Sequence, residues 1–169
     1  MTEMTDEEKR QQELDYGLIL ATSNNYKLLI DLPLENGANI NVVVPPKSYW
    51  QLYESCMSIA IKDRNLFLAK YLLSKGALIN NPISNECAPL VNAINNYDVE
   101  AVKFLLENGA SAHGWYEKPH QTFLDRCINR VVYSEIKERK ELLQITQLLL
   151  DHGANFKKSI SVLEKKEQE

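Results

Sequence analysis

The chain has 169 residues, with 44% apolar and 25% charged side chains and a net charge of −4. This is enough material for one ordinary domain with a core, and it excludes wholesale disorder. The acidic balance argues against nucleic acid, whose binders usually carry a basic stripe, and against an anionic membrane surface.

The opening, Met1 to Glu8, is polar and acidic, unlike a secretory signal, and no run of about 18 apolar residues follows anywhere. With three widely spaced cysteines, Cys56, Cys87 and Cys127, structural disulfides are not expected, and a reducing, cytoplasmic setting is. Thr5 and Glu8 form a capping box, which predicts a helix from about Asp6 to Thr22. Residues 5–13 are expected to be a polar, solvated extension.

Four segments then repeat one pattern: Leu34-Glu35-Asn36-Gly37-Ala38, Leu73-Ser74-Lys75-Gly76-Ala77, Leu106-Glu107-Asn108-Gly109-Ala110 and Leu150-Asp151-His152-Gly153-Ala154. Each ends an apolar helical run. Glycine enters the left-handed conformation without a Cβ penalty and so stops the helix. Asn36-Gly37 and Asn108-Gly109 could also open type I′ hairpins, but their flanks cluster with helical rather than alternating spacing. The glycines are 39, 33 and 44 residues apart.

A first helix precedes each of these runs. Ala21, Ala60 and Ala93 occupy one register, and Pro89-Leu90 opens the third, where proline suits a first helical turn. Cys127 holds the small-residue position in the fourth, which predicts a buried, inert thiol. Pro33 falls inside the second helix of the first unit, so that helix is expected to be kinked or short. In the last unit, 129–140 is about ten residues too long. Its Glu135-Ile136-Lys137-Glu138 run predicts that the second helix starts early, with Ser134 as its cap.

This pattern resembles the ankyrin-repeat family, whose period is 33 residues and whose first helix opens Thr-Pro-Leu-His with alanine two places on. Ile19, Ser58, Val91 and Asp125 stand where that histidine would. The resemblance covers roughly 14–157. It implies an all-α solenoid of about four helix-turn-helix repeats with short hairpin tips, at about 14–46, 54–80, 87–115 and 121–157. A tail, 158–169, carries Ile160, Val162 and Leu163 as its apolar anchors and is expected to pack briefly and then be disordered. One domain spans the chain, and a monomer is expected.

The resemblance also implies a non-enzymatic module that binds one protein partner on a concave face. That face would be built from inter-repeat tips and from turns after the first helices. The tips are Tyr49, Trp50 and Tyr53, then Asn85 and Glu86, then Trp115, Tyr116 and Lys118. The turn positions are Ser23 and Asn24, Lys62 and Asp63, Asn95 and Asn96, and Asn129 and Arg130. Tryptophan and tyrosine are enriched in interface hot spots. Against this, Trp50 and Tyr53 could fold back over the irregular first unit, and asparagine is common in turns for local reasons.

Neither a cofactor nor a metal is expected. His113, His120 and Cys127 are seven residues apart and lack the paired spacing of zinc motifs. Inhibition of the partner is one mode of action, since small bacterial ankyrin proteins include immunity proteins that neutralise a toxin. A self-associating scaffold using the end of the stack is a further alternative, and a metal hydrolase a remote one.

Overall fold

A computed structural model describes residues 4–44, 54–80, 89–113 and 122–155. Within these residues there are eight helices and one two-residue ladder. Contacts divide the chain into two compact units, Met1–Leu78 and Ile79–Glu169.

In the first unit, α1 (Asp6–Ser23) pairs with α2 (Lys27–Glu35), and α3 (Cys56–Lys62) pairs with α4 (Leu66–Ser74). Helix α1 also packs on α3. Strands β1 (Val43–Val44) and β2 (Glu54–Ser55) pair antiparallel, Val43 opposite Ser55. The second unit pairs α5 (Pro89–Asn95) with α6 (Val99–Glu107) and α7 (Phe123–Tyr133) with α8 (Ile136–Asp151), and α6 packs on α8. Both units bury apolar helix faces, including Leu18, Ile30, Met57 and Leu72 in the first and Leu90, Leu105, Phe123 and Ile145 in the second.

The expected helix stops are present. Gly37, Gly76, Gly109 and Gly153 have φ of 97°, 93°, 89° and 90°. The alanine after each one donates its N–H to the carbonyl five residues back, to Pro33, Leu72, Leu105 and Leu149. This is the Schellman closure that a left-handed residue permits.

The loop after each of the first three stops is then tied down by side chains from the preceding segment. Asn41 Nδ2 donates to the Gly76 carbonyl (3.4 Å), and its Oδ1 accepts from Leu78 N–H (2.8 Å). Asn80 repeats this on Gly109 (2.8 Å) and Ser111 (3.1 Å). Both asparagines lie four residues past a glycine stop. The first loop has no such asparagine before it, and α1 supplies the groups instead. Gln11 Nε2 donates to the Gly37 carbonyl (3.1 Å), and Asp15 Oδ1 accepts from Asn39 N–H (2.7 Å). The helical extension is therefore not merely solvated: it closes the first loop.

The capping box expected at the start of α1, Thr5 with Glu8, is present (3.2 and 2.8 Å). Ser58 and Asp125, two departures from the family histidine, are themselves the third helical residues that complete reciprocal boxes with Ser55 and Thr122. Each box satisfies orphan N–H groups at a helix start.

Helix α2 is not short. It spans nine residues, as α4 and α6 do, with Pro33 buried inside it. The proline removes one N–H from the last two turns, while its own carbonyl still accepts from Ala38. The extra length of the last pair is also shared differently from expectation. Helix α7 is four residues longer than α3 or α5, and α8 is seven longer than α4 or α6. Ser134 closes α7, donating to the Arg130 carbonyl (2.7 Å), and Glu135 rather than Ser134 caps α8.

On the α2 and α4 surfaces, Lys75 Nζ lies 2.8 Å from Asp31 Oδ1, and Tyr71 donates its hydroxyl to the same carboxylate. Lys27 sits over both Phe67 and Tyr71, at 4.9 and 4.4 Å from the ring centroids. The hydrogen bonds from Lys75 and then Tyr71 hold Asp31 below the ordinary carboxylate range. No helix among the described residues is long and apolar enough to cross a membrane.

Candidate functional site

The turn-side positions fall into two groups. In the first unit, Lys62 ends α3 and pairs with Glu54 across the β2–α3 junction, Nζ to Oε1 2.6 Å. Asp63 is the C-cap, with its N–H on the Ile59 carbonyl. Ser23 ends α1, and Asn24 caps it, with Nδ2 on the Leu20 carbonyl (2.8 Å). These contacts are local.

The second unit builds a cluster. Asn95 ends α5, and its Oδ1 accepts from Arg126 Nε (2.9 Å), Arg126 Nη2 (2.6 Å) and Arg130 Nη1 (3.3 Å). Arg130 Nη2 also donates to the Tyr97 hydroxyl, and its guanidinium carbon stands 4.5 Å from the Tyr97 ring centroid. Arg126 and Arg130 are one helical turn apart, so α7 presents both on one face. Tyr97 occupies the left-handed region at φ 55°, as Asn25 and Arg64 do at the matching turns. All four side chains are partly buried.

Asn95 and Arg130 are thus brought together as the register suggested. Asn96 follows α5, with its N–H on the Asn92 carbonyl, and Asn129 is exposed on α7. Asn129 and Arg130 are not turn residues, because α7 runs on to Tyr133. Tyr97 and Arg126 were missed. The one available signal was the Arg126–Arg130 spacing, which places both on one helix face. Tyr49, Trp50, Tyr53, Asn85, Glu86, Trp115, Tyr116, Lys118 and the tail lie outside the described residues.

Of the conceivable metal trio, only His113 and Cys127 fall among the described residues. Cys127 is fully buried in α7, and His120 lies outside the described residues. His113 is beside Gly153, its Nε2 3.7 Å from where a Cβ would stand. Among the described residues no group of three His, Cys, Asp or Glu side chains could hold a metal ion.

Burial pushes the Cys127 thiol up to about 11, and burial also raises Cys56, which is likewise inaccessible. At about pH 8, on the order of one Cys127 in a thousand would then be a thiolate. Mass mapping after treatment with a water-soluble disulfide reagent should find both cysteines unmodified in the native protein and modified in guanidinium. Native labelling at the rate of free cysteine would contradict this burial.

Helix pairs closed by the same glycine stop, with the same asparagine clamp on the loops that follow, define a helical-repeat protein. A family model described as ankyrin repeats (3 copies) matches residues 18–116, more than half of the chain. The chain belongs to the ankyrin-repeat family. Ankyrin repeats are in general protein–protein interaction modules and are typically non-enzymatic. A search of the curated proteins gives no match.

Proposed function

We propose that this chain binds a single protein partner through the turn side of its first helices, the Asn95–Tyr97–Arg126–Arg130 cluster contributing to that surface. The observation that carries the reading is the ankyrin-repeat match, a family whose repeats serve protein association. Function belongs to surface residues grafted onto such scaffolds. Trp115 and Tyr116 enter as aromatic anchors from the sequence alone, because large rigid rings give contact area at little entropic cost. Blocking the partner is one mode of action, as in an immunity protein that occupies a toxin.

The test is affinity capture from native lysate, with wild type beside a Trp115→Ala, Tyr116→Ala double variant. A discrete partner retained by wild type and lost by the double variant supports this surface. Equal capture by both would place the interface elsewhere. A captured toxin whose activity falls on binding would support the immunity mode.

A second reading, self-association, is favoured by the outer face of the first helix pair. Leu20 is 44% exposed and Leu29 52%, whereas Ile59 and Leu68, which hold the same register one repeat on, are 4% and 2% exposed. With Leu32, Tyr26 and Gly17 these leucines line an open groove of about 610 Å³. Apolar surface of this kind marks association sites. A second copy stacking there would make elution from a sizing column depend on concentration, and Leu29→Glu with Leu32→Glu would abolish that dependence. Monomer elution at every concentration would end this reading.

A further inference from the structure

We infer that Arg126 and Arg130 form a preorganised site for a carboxylate, supplied by an aspartate or glutamate side chain of the docked protein. This rests on the reading that the turn side of the first helices docks a protein. The argument starts from charge. Arg130 is partly buried, and its partners are all neutral: the Asn95 amide oxygen, the Tyr97 hydroxyl and the Tyr97 ring. Among the described residues it makes no ion pair. Desolvating a cation without a counter-charge is unfavourable, and a second guanidinium sharing the same acceptor adds repulsion.

Among the described residues, the acids near it in sequence do not pair with Arg130. Asp98 is turned to Ala101 N–H as the cap of α6, and Asp125 is held in its box with Thr122. Asn95 Oδ1 already accepts three N–H groups.

The geometry suits an incoming anion. A guanidinium has five donors in a planar fork. Arg130 uses one on each terminal nitrogen, which leaves Nε–H and a second N–H on each. The Tyr97 ring and hydroxyl fix the plane of that fork. Asn95 ties the two arginines to one point, so their rotamer freedom is already spent before binding. Paired planar forks match carboxylate oxygens in a way an ammonium does not. The new surface is therefore a specificity element: it favours partners with an acidic side chain at this spot, although the chain as a whole is acidic.

The experiment follows the arginine Nε–Hε signals by ¹⁵N NMR while acetate is added at constant ionic strength against chloride, with inorganic phosphate as a second probe. The Arg126 and Arg130 signals should move saturably with acetate while exposed Arg10 drifts linearly. Arg130→Gln should weaken acetate binding about tenfold or more, and Tyr97→Phe, which keeps the ring but removes the hydroxyl, should weaken it less. If Arg130→Gln fails to fold, Tyr97→Phe and wild type still decide the matter. Linear drift of Arg126 and Arg130 alongside Arg10 would overturn the site. Phosphate binding more than tenfold tighter than acetate would overturn the carboxylate assignment. Loss of partner capture in the Trp115, Tyr116 variant alongside absent acetate binding would remove this site and leave the docking reading standing.

Discussion

Phe123→Ala is expected to cost about 3–5 kcal/mol. Phe123 is the first residue of α7 and is 1% exposed among the largest buried side chains. Truncation removes apolar contact and leaves a void that α7 and α8 can close only in part. The loss matters because native domains hold only about 5–15 kcal/mol in total. It is also diagnostic, since the family match ends at residue 116 and α7 begins beyond it. Ile128→Ala, on the same helix but 40% exposed, should change stability by less than about 0.5 kcal/mol. Urea denaturation followed by circular dichroism measures both. A loss under about 1 kcal/mol for Phe123 would mean that the last helix pair is an appendage rather than part of the core.

The same chemical change at two glycines should act with opposite sign. Gly17 lies inside α1, and a Cβ there would meet no heavy atom within 4 Å. Alanine at this position should stabilise by about 0.5–1 kcal/mol, since glycine loses more backbone freedom on folding. Gly109 also has open space around a Cβ, but its φ is +89°. Gly109→Ala should therefore destabilise by about 1–2 kcal/mol for conformational reasons alone. Thermal melts separate the two, at about 2–4 °C per kcal/mol for a chain of this size. Equal signs would break the account of the glycine as an obligatory helix stop.

What could be read from sequence was local. The glycine stops, the alanine register and the Thr5–Glu8 box each depend on residues within a few positions, and each is present. Ser58 and Asp125 lie three residues after Ser55 and Thr122, the capping-box spacing, so these boxes are local features too. Pro33 misled because one lost hydrogen bond near a helix end is tolerable when the ring is buried. The site was harder. Asn95 and Arg130 could be placed by register, but their meeting depends on Arg126 and Tyr97, which belong to different helix pairs. Contacts 31 to 35 residues apart leave no periodic trace.

The asparagine clamps carry a consequence for how such a chain can change. Asn41 and Asn80 make the same pair of bonds although the glycines they span are 39 and 33 residues apart. The junction therefore senses only its two ends and is indifferent to the length between them. Segments in the intervals can grow, shrink or exchange side chains while the joints stay sound, so selection can retune what is recognised without renegotiating cohesion.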